Sequence, residues 1–290
     1  MNHPEQMNHR EDRPPQLQIG GMALENGVMF HSRRYWTMGV REPDGRIRVV
    51  SGEKVKLAPA TRLRKIPLLR SLINMAETVV IMPRVHAGGG RLPFQTQSPQ
   101  VLASVIVSLL GTVFVKKSTK KLSPLVEELA ISALALVPSL VALRKTRAVQ
   151  YHAAEHKSIN AYETTGAGGD IDGNGVVSAE AEHPRCGSNV VGPALAMMTA
   201  GNALVRHIKR RQSSASRLGI GILSFTGAIE AVQWAARNPH SRWSRLLTVS
   251  GGGLQHLFTT AEPTEDQVEI SLAALRELLR LEGALGHTPR

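Results

Sequence analysis

Two imidazoles and a carboxylate, His152, Glu155 and His156, stand in the order His-x-x-Glu-His within Tyr151–Lys157. On an α-helix each residue turns about 100°, so the three fall within roughly one third of the circumference. Residues four apart have Cβ atoms about 6 Å apart, which lets both imidazoles reach one ion. This is the order of the inverted zinc proteases, where two histidines hold the metal and the glutamate stands beside the water they activate. Downstream, His183 and Cys186 are spaced i, i+3 just ahead of an apolar run. Imidazole and thiolate are ligands that a borderline-soft ion such as Zn²⁺ prefers, so the two short pairs would make a tetrahedral set. The competing reading is a solvated His/Glu helix face and a buried free cysteine. In a chain with eleven histidines the spacing alone leaves both open.

The elements that must position these groups are partly legible. Residues 1–16, polar and proline-rich, read as a disordered tail. An N-terminal α+β region spans 17–85. Within it Gly20-Gly21 and Gly27 punctuate Ile19–Phe30, whose one acid, Glu25, reads at first as an exposed loop carboxylate. Trp36, Met38 and Val40 alternate onto one face, Pro43-Asp44-Gly45 turns the chain, and Ile47 and Val49 continue it, a β-hairpin. Pro67 opens a cationic amphipathic helix running to about Ile81. Residues 86–100 read as a linker. Their triple glycine lacks the following Lys-Ser/Thr of a phosphate loop, which disfavours nucleotide binding. Asp170–Ser178 imitates the start of a calcium loop, but Ala181 stands where the bidentate glutamate belongs, so a polar surface turn is expected. Thr264 and Gln267 make a capping box for an amphipathic helix within 261–290.

Four apolar stretches lie between: Val101–Val115, Leu125–Leu143, Cys186–Val205 and Leu218–Ala236. About 20 apolar residues span a bilayer, and four such stretches are hard to bury in one small soluble core. The expected fold is therefore mainly α: a membrane protein with two transmembrane helical hairpins in 101–260, a His-rich loop at 144–187, and a small N-terminal α+β region containing the β-hairpin. Glu230 in the last stretch must face the bundle interior or a polar cavity. The net charge of +12 sits mostly beside the apolar runs, which points to a lipid membrane as partner. Few aromatic residues are available for stacking, so nucleic acid is not expected. Basic residues divide almost evenly between the two sides of such a bundle. The long polar N-terminal region, which carries no signal peptide, then places the His-rich loop in the cytosol.

Four blocks of this sequence, in order, resemble the bacterial YqhQ-like family, domain of unknown function 1385. They are Gly20–Met29 (GGMALENGVM, against the family's GGQAVIEGVMM) and the hairpin Val40–Gly45. Then come Tyr151–Lys157 (YHAAEHK, against YHGAEHK) with Ala161-Tyr162-Glu163 and His183–Gly187 (HPRCG), and last Leu254–Thr260 with Glu262-Pro263. The resemblance implies an integral membrane protein of the bacterial cytoplasmic membrane with a metal-type His/Glu/Cys constellation, and it implies no substrate. It also makes Glu25 a better candidate for the site. Met22 in place of the family's Gln puts any polar role there in doubt, and Ala153 replaces a Gly.

The leading expectation is a membrane-bound, zinc-type hydrolase. His152, His156 and His183 or Cys186 would hold Zn²⁺ or another divalent transition metal, Glu155 would be the general base, and Glu25 or Glu163 would orient. Glu163 lies seven residues past His156, about 10 Å along the helix, too far to ligate the same ion. Substrates at headgroup level, such as a lipid-linked or peptide amide, suit the basic surroundings. The alternatives are a membrane scaffold or partner-binding protein, possible as a homo-oligomer, whose four ligands close a structural zinc clip, and a basic scaffold without metal.

Overall fold

Alternation at Tyr35–Arg41 does what period two dictates: Trp36, Met38 and Val40 point to one face of a sheet and Thr37 and Gly39 to the other. In the computed structural model, residues 17–57, 63–92, 99–118, 123–144, 146–165, 171–208 and 212–284 are described. The tail at 1–16, residues 93–98 of the expected linker, and Asp170 lie outside them. Four strands, β1 (Gly20–Ala23), β2 (Gly27–His31), β3 (Tyr35–Arg41) and β4 (Ile47–Glu53), form an antiparallel meander in sequence order. The expected hairpin is the β3–β4 half. Its turn is closed by Gly45, whose φ of 85° suits a residue without a side chain. The other half comes from the glycine-punctuated segment, with Gly20 opposite His31 and Gly21 opposite Phe30.

Helix α1 (Pro67–Ala87) lays Ile81 and Val85 on the Trp36 face. It runs six residues beyond the expected end at Ile81, through Pro83, because Val85 is buried against the sheet, and it stops at Gly88-Gly89. The expected linker therefore begins with helix, and its last residues belong to the next one. Helices α2 (Pro99–Ser118) and α3 (Pro124–Arg144) pair, with Ser108 Oγ donating to Leu134 O at 2.8 Å and Gly111 against Leu134. Helix α4 (Ala148–Thr165) carries His152–His156 and is buried along most of its length. Helix α5 (Gly173–Ser178) stands where a polar turn was expected; the Asp172 carboxylate caps it, accepting from Gly175 N–H at 2.6 Å. A 3₁₀ turn (Gly187–Val190) leads into α6 (Val191–Ile208), followed by α7 (Ser214–Arg237) and α8 (Arg242–Leu254). A π-helical turn (Gln255–Thr259) and α9 (Glu265–Leu281) complete the order.

The C-terminal helix begins at its capping box, with Thr264 N–H donating to Gln267 Oε1 at 2.9 Å. It is buried on more than one side because it lies between the sheet and α4. Thr37 Oγ1 donates to Ala274 O at 2.8 Å, and Ser271 Oγ donates to Ala154 O at 3.1 Å. Val28, Phe30, Ile159, Tyr162, Leu275 and Leu278 form the core that joins the three. The sheet thus has α1 on one face and α4 with α9 on the other.

Among the described residues three helices are long and apolar enough to cross a membrane, within Pro99–Lys117, Leu125–Ala142 and Ser214–Arg237. Four were expected. The stretch Cys186–Val205 is the exception, because its first five residues form the Cys186 cap and the 3₁₀ turn. Helix α6 then buries Thr199 and Asn202 and carries Arg206 and His207 in its last turn. Glu230 of α7 faces inward, where Arg70 and Ser71 of α1 hold its carboxylate, the latter at 2.6 Å.

Candidate metal centre

Each candidate ligand is fixed by a backbone group from a different element. His152 Nδ1 lies 2.8 Å from Thr259 O, and His156 Nδ1 lies 2.7 Å from Ala181 O. A carbonyl oxygen can only accept, so both Nδ1 atoms carry the proton and both Nε2 atoms present a lone pair. Cys186 Sγ lies 3.2 Å from His152 Nε2. Ser188 further polarises the sulfur, its Oγ at 3.1 Å and its N–H at 3.5 Å. One ligand atom each from His152, His156 and Cys186 falls within 4.8 Å of the other two. Around a tetrahedral Zn²⁺ with bonds of about 2.0–2.3 Å, ligand atoms stand roughly 3.3–3.7 Å apart, so the set closes on an ion by movements of about 1 Å. The donor chemistry, two imidazole nitrogens and a sulfur held by orienting carbonyls, fits a zinc-type ion.

The loop that brings Cys186 to His152 is built by two side-chain amides. Gln255 Oε1 accepts from His183 N–H at 2.9 Å, while Gln255 Nε2 donates to His183 O and to Asn189 Oδ1, both at 3.3 Å. Asn189 Nδ2 donates to Pro184 O at 2.8 Å. The π-helical turn supplies both Gln255 and the Thr259 carbonyl that orients His152. A single irregular segment therefore sets one ligand and the loop of another.

His183 is not part of the three-ligand cluster. Its Nδ1 accepts the Arg185 N–H at 3.3 Å, which occupies one lone pair, and its ring centre stands 5.8 Å from that of His156. Its Nε2 is buried without a hydrogen-bond partner among the described residues and lies 3.5 Å from Glu163 Oε2. Glu163 also pairs with Arg185, so it holds the His183–Arg185 loop rather than an ion. Burial lowers the His183 pKa, and the nearby Glu155 carboxylate opposes that.

Glu155 is buried beside the ligands, and burial pushes its carboxyl up to about 7, with His152 and His183 pulling it back down. Its carboxylate lies against Gly21, at a place that a Cβ on residue 21 would fill. A cavity of about 140 Å³ opens here, lined by Glu155, the three ligand residues, His183 and the glycines of β1. At about 30 Å³ per molecule that is room for four or five waters, or one small reacting group. Glu25 does not line it. It sits in the β1–β2 turn, with its N–H donating to Arg91 O at 2.8 Å and its Oε2 buried.

The residue that sequence reasoning passes over is His31, which also lines the cavity. Burial first, then the Lys54 charge, drives its pKa down to about 4, so it is neutral at physiological pH. Its signal was indirect: it lies across the sheet from Gly20, two residues beyond the glycine-rich block that places Gly21 on Glu155. Three of the four blocks that carry the family resemblance thus converge, since Gly21, His152–His156 with Cys186, and Gln255–Thr259 meet around one space.

A family profile described as "Protein of unknown function (DUF1385)" matches residues 92–281. The "Uncharacterized protein YqhQ" of Bacillus subtilis (strain 168) is 26% identical over 307 residues, covering 91% of this chain and 92% of that protein. No solved structure matches at a significant level. With the profile taking in His152, Glu155, His156 and Cys186 and well over half of the sequence, this chain belongs to the DUF1385 family.

Proposed function

We propose that this protein is a membrane-seated metal-dependent enzyme, a hydrolase of a lipid-linked or peptide amide at headgroup level, with Zn²⁺ or a similar divalent transition ion as cofactor. One observation carries the reading. Two imidazoles with carbonyl-fixed tautomers and a thiol converge beside a buried carboxyl in a cavity large enough for a reacting group. When bound, such an ion supplies Lewis acidity and a lowered pKa for water. Glu155, poised near neutrality, accepts a proton from the attacking water and returns it to the leaving group. His152 and His183, within electrostatic reach, favour its ionised form. Gly21 leaves the carboxylate its space, and the Gln255–Asn189 amides hold the cysteine loop against His152.

Three protein ligands with a fourth position left over support catalysis above a structural clip, which fills all four from protein. The test is metal content and coordination in the purified full chain. About one zinc per chain is expected, lost to a strong chelator. After cobalt substitution, azide should shift the visible bands, because an open position takes exogenous ligand. Cobalt bands indifferent to azide would favour the zinc clip of a non-enzymatic scaffold. The 3.2 Å sulfur–imidazole contact favours a second reading, a Cys186 nucleophile with His152 as base. In that case metal is absent and iodoacetamide alkylates Cys186 as fast in untreated as in chelated protein.

The membrane seat rests on exposed apolar surface. On α2, Leu110 and Phe114 are 65% and 70% exposed, and the span window of that helix is only 6% buried. Leaving such side chains in water forgoes about 1.5–3 kcal/mol each, whereas lipid accepts them. Twenty residues of helix measure about 30 Å, the thickness of the hydrocarbon core. We place α2, α3 and α7 across the bacterial cytoplasmic membrane, with α6 packed between α3 and α7 as the inner fourth helix and the loop 144–187 in the cytosol. In a Cys186→Ser background, Ser123→Cys should react with a membrane-impermeant maleimide in intact cells and Glu180→Cys only after lysis. The reverse pattern would invert the orientation, and labelling of both in intact cells would remove the membrane seat.

A further inference from the structure

His31 lies on β2 at the edge of the cavity, and its partner on one side is a group that can only give a hydrogen bond. Lys54 Nζ stands 3.3 Å from His31 Nδ1. Lys54 is anchored at the end of β4, where its N–H donates to Arg34 O at 2.8 Å, and the buried Glu77 carboxylate opposes the effect of burial on its ammonium. An ammonium has no lone pair, so Nδ1 must accept and the imidazole proton resides on Nε2. That edge faces the open side of Gly20, where a Cβ would stand 2.8 Å from Nε2 and 2.7 Å from Cε1. The missing side chain at residue 20 leaves room for that edge, and both residues line the cavity that Glu155 and the ligand histidines share. The Ser32 backbone also hydrogen-bonds the imidazole, which opposes the burial and the Lys54 charge that lower its pKa.

We infer that His31 is a fixed, neutral N–H donor that binds an oxygen of the substrate's reacting group, so that the cavity takes an electron-rich carbonyl or phosphoryl oxygen and not an amine. The inference deepens the proposed catalytic reading of this cavity and rests on it for the identity of the reacting group. An imidazole N–H aimed at a developing oxyanion performs the task of a backbone donor there, and removal of one such donor typically slows turnover about 10²–10³-fold. Lys54 is a positioning residue in this scheme, because it sets which nitrogen carries the proton.

The test uses the full chain in detergent, labelled with ¹⁵N-histidine and chelated, so that neither metal binding nor turnover enters the readout. Long-range ¹H–¹⁵N correlations should show His31 protonated at Nε2 alone between pH 6 and 8. Inorganic phosphate, the probe, should move that resonance, and methylammonium should not. Lys54→Met should give a mixture of both tautomers and weaken the phosphate response about tenfold or more. His31→Gln, which keeps an N–H donor, should retain more of the phosphate binding than His31→Leu. A wild-type His31 protonated at Nδ1, or a resonance that phosphate leaves in place, would overturn the inference even where zinc binds as proposed. An absence of zinc with the expected His31 signals would sink the metal reading alone.

Discussion

Replacing Glu155 by glutamine is expected to stabilise the metal-free chain at pH 8 by about 3 kcal/mol relative to its effect at pH 4.5. The folded-state pKa of Glu155 is about 7 against an ordinary value of 4.5. A carboxyl whose pKa is raised on folding binds more protons in the native state across that interval, so native stability falls as pH rises from about 4.5 to 7. A displacement of about 2.5 units at 1.36 kcal/mol each gives about 3 kcal/mol. Glutamine carries no charge, and any constant cost of placing an amide in the cavity cancels when the two chains are compared across pH. Denaturation of the chelated wild type and of Glu155→Gln at a series of pH values measures the difference. Parallel stability curves would mean that Glu155 is not held near neutrality by burial. The same substitution should leave zinc bound while turnover falls about 10²–10⁴-fold, because a general base is lost and no ligand is. The native chain would then hold a destabilising carboxylate because its chemistry needs one.

Substitution of either ligand histidine should act on the metal. A full four-ligand zinc site is worth about 10–16 kcal/mol, or roughly 3–4 kcal/mol per ligand, so His152→Ala or His156→Ala should weaken affinity about 10²–10³-fold. His183→Ala should do much less, since His183 Nδ1 is engaged by the Arg185 N–H and the ring stands outside the cluster. Competition against a chelating dye, applied to the three variants, separates ligand from neighbour. Equal losses in all three would return His183 to the ligand set. Cys186→Ser should fall with the two ligand histidines, because a hydroxyl is a poor replacement for a thiolate on a borderline-soft ion.

What was legible and what was not divides along chain distance. The helix bearing His152, Glu155 and His156, the β3–β4 hairpin and the capping box at Thr264 are local patterns, and each lies where its spacing put it. Helix α1 runs six residues past the expected Ile81, through Pro83, because burial of Val85 against the sheet outweighs the helix-breaking effect of that proline. The third apolar stretch reads as a span by composition. Its start instead turns sharply at Cys186 to hold the loop that Gln255 and Asn189 pin.

The choice between His183 and Cys186 could not be read from their i, i+3 spacing, since it depends on side-chain amides that come from Gln255, 72 residues beyond His183, and from within the loop itself. Nor could the place of His31, which reaches the cavity only because β1 and β2 pair Gly20 with it. The amino-acid order by itself determined the donor chemistry and the helix that presents two of the donors, because helical periodicity acts within a few residues. Only the tertiary structure decided which lone pairs are free, how close the sulfur comes and how buried the carboxylate is. Those properties are set by backbone carbonyls, a bare glycine and a π-helical turn brought together from remote parts of the chain.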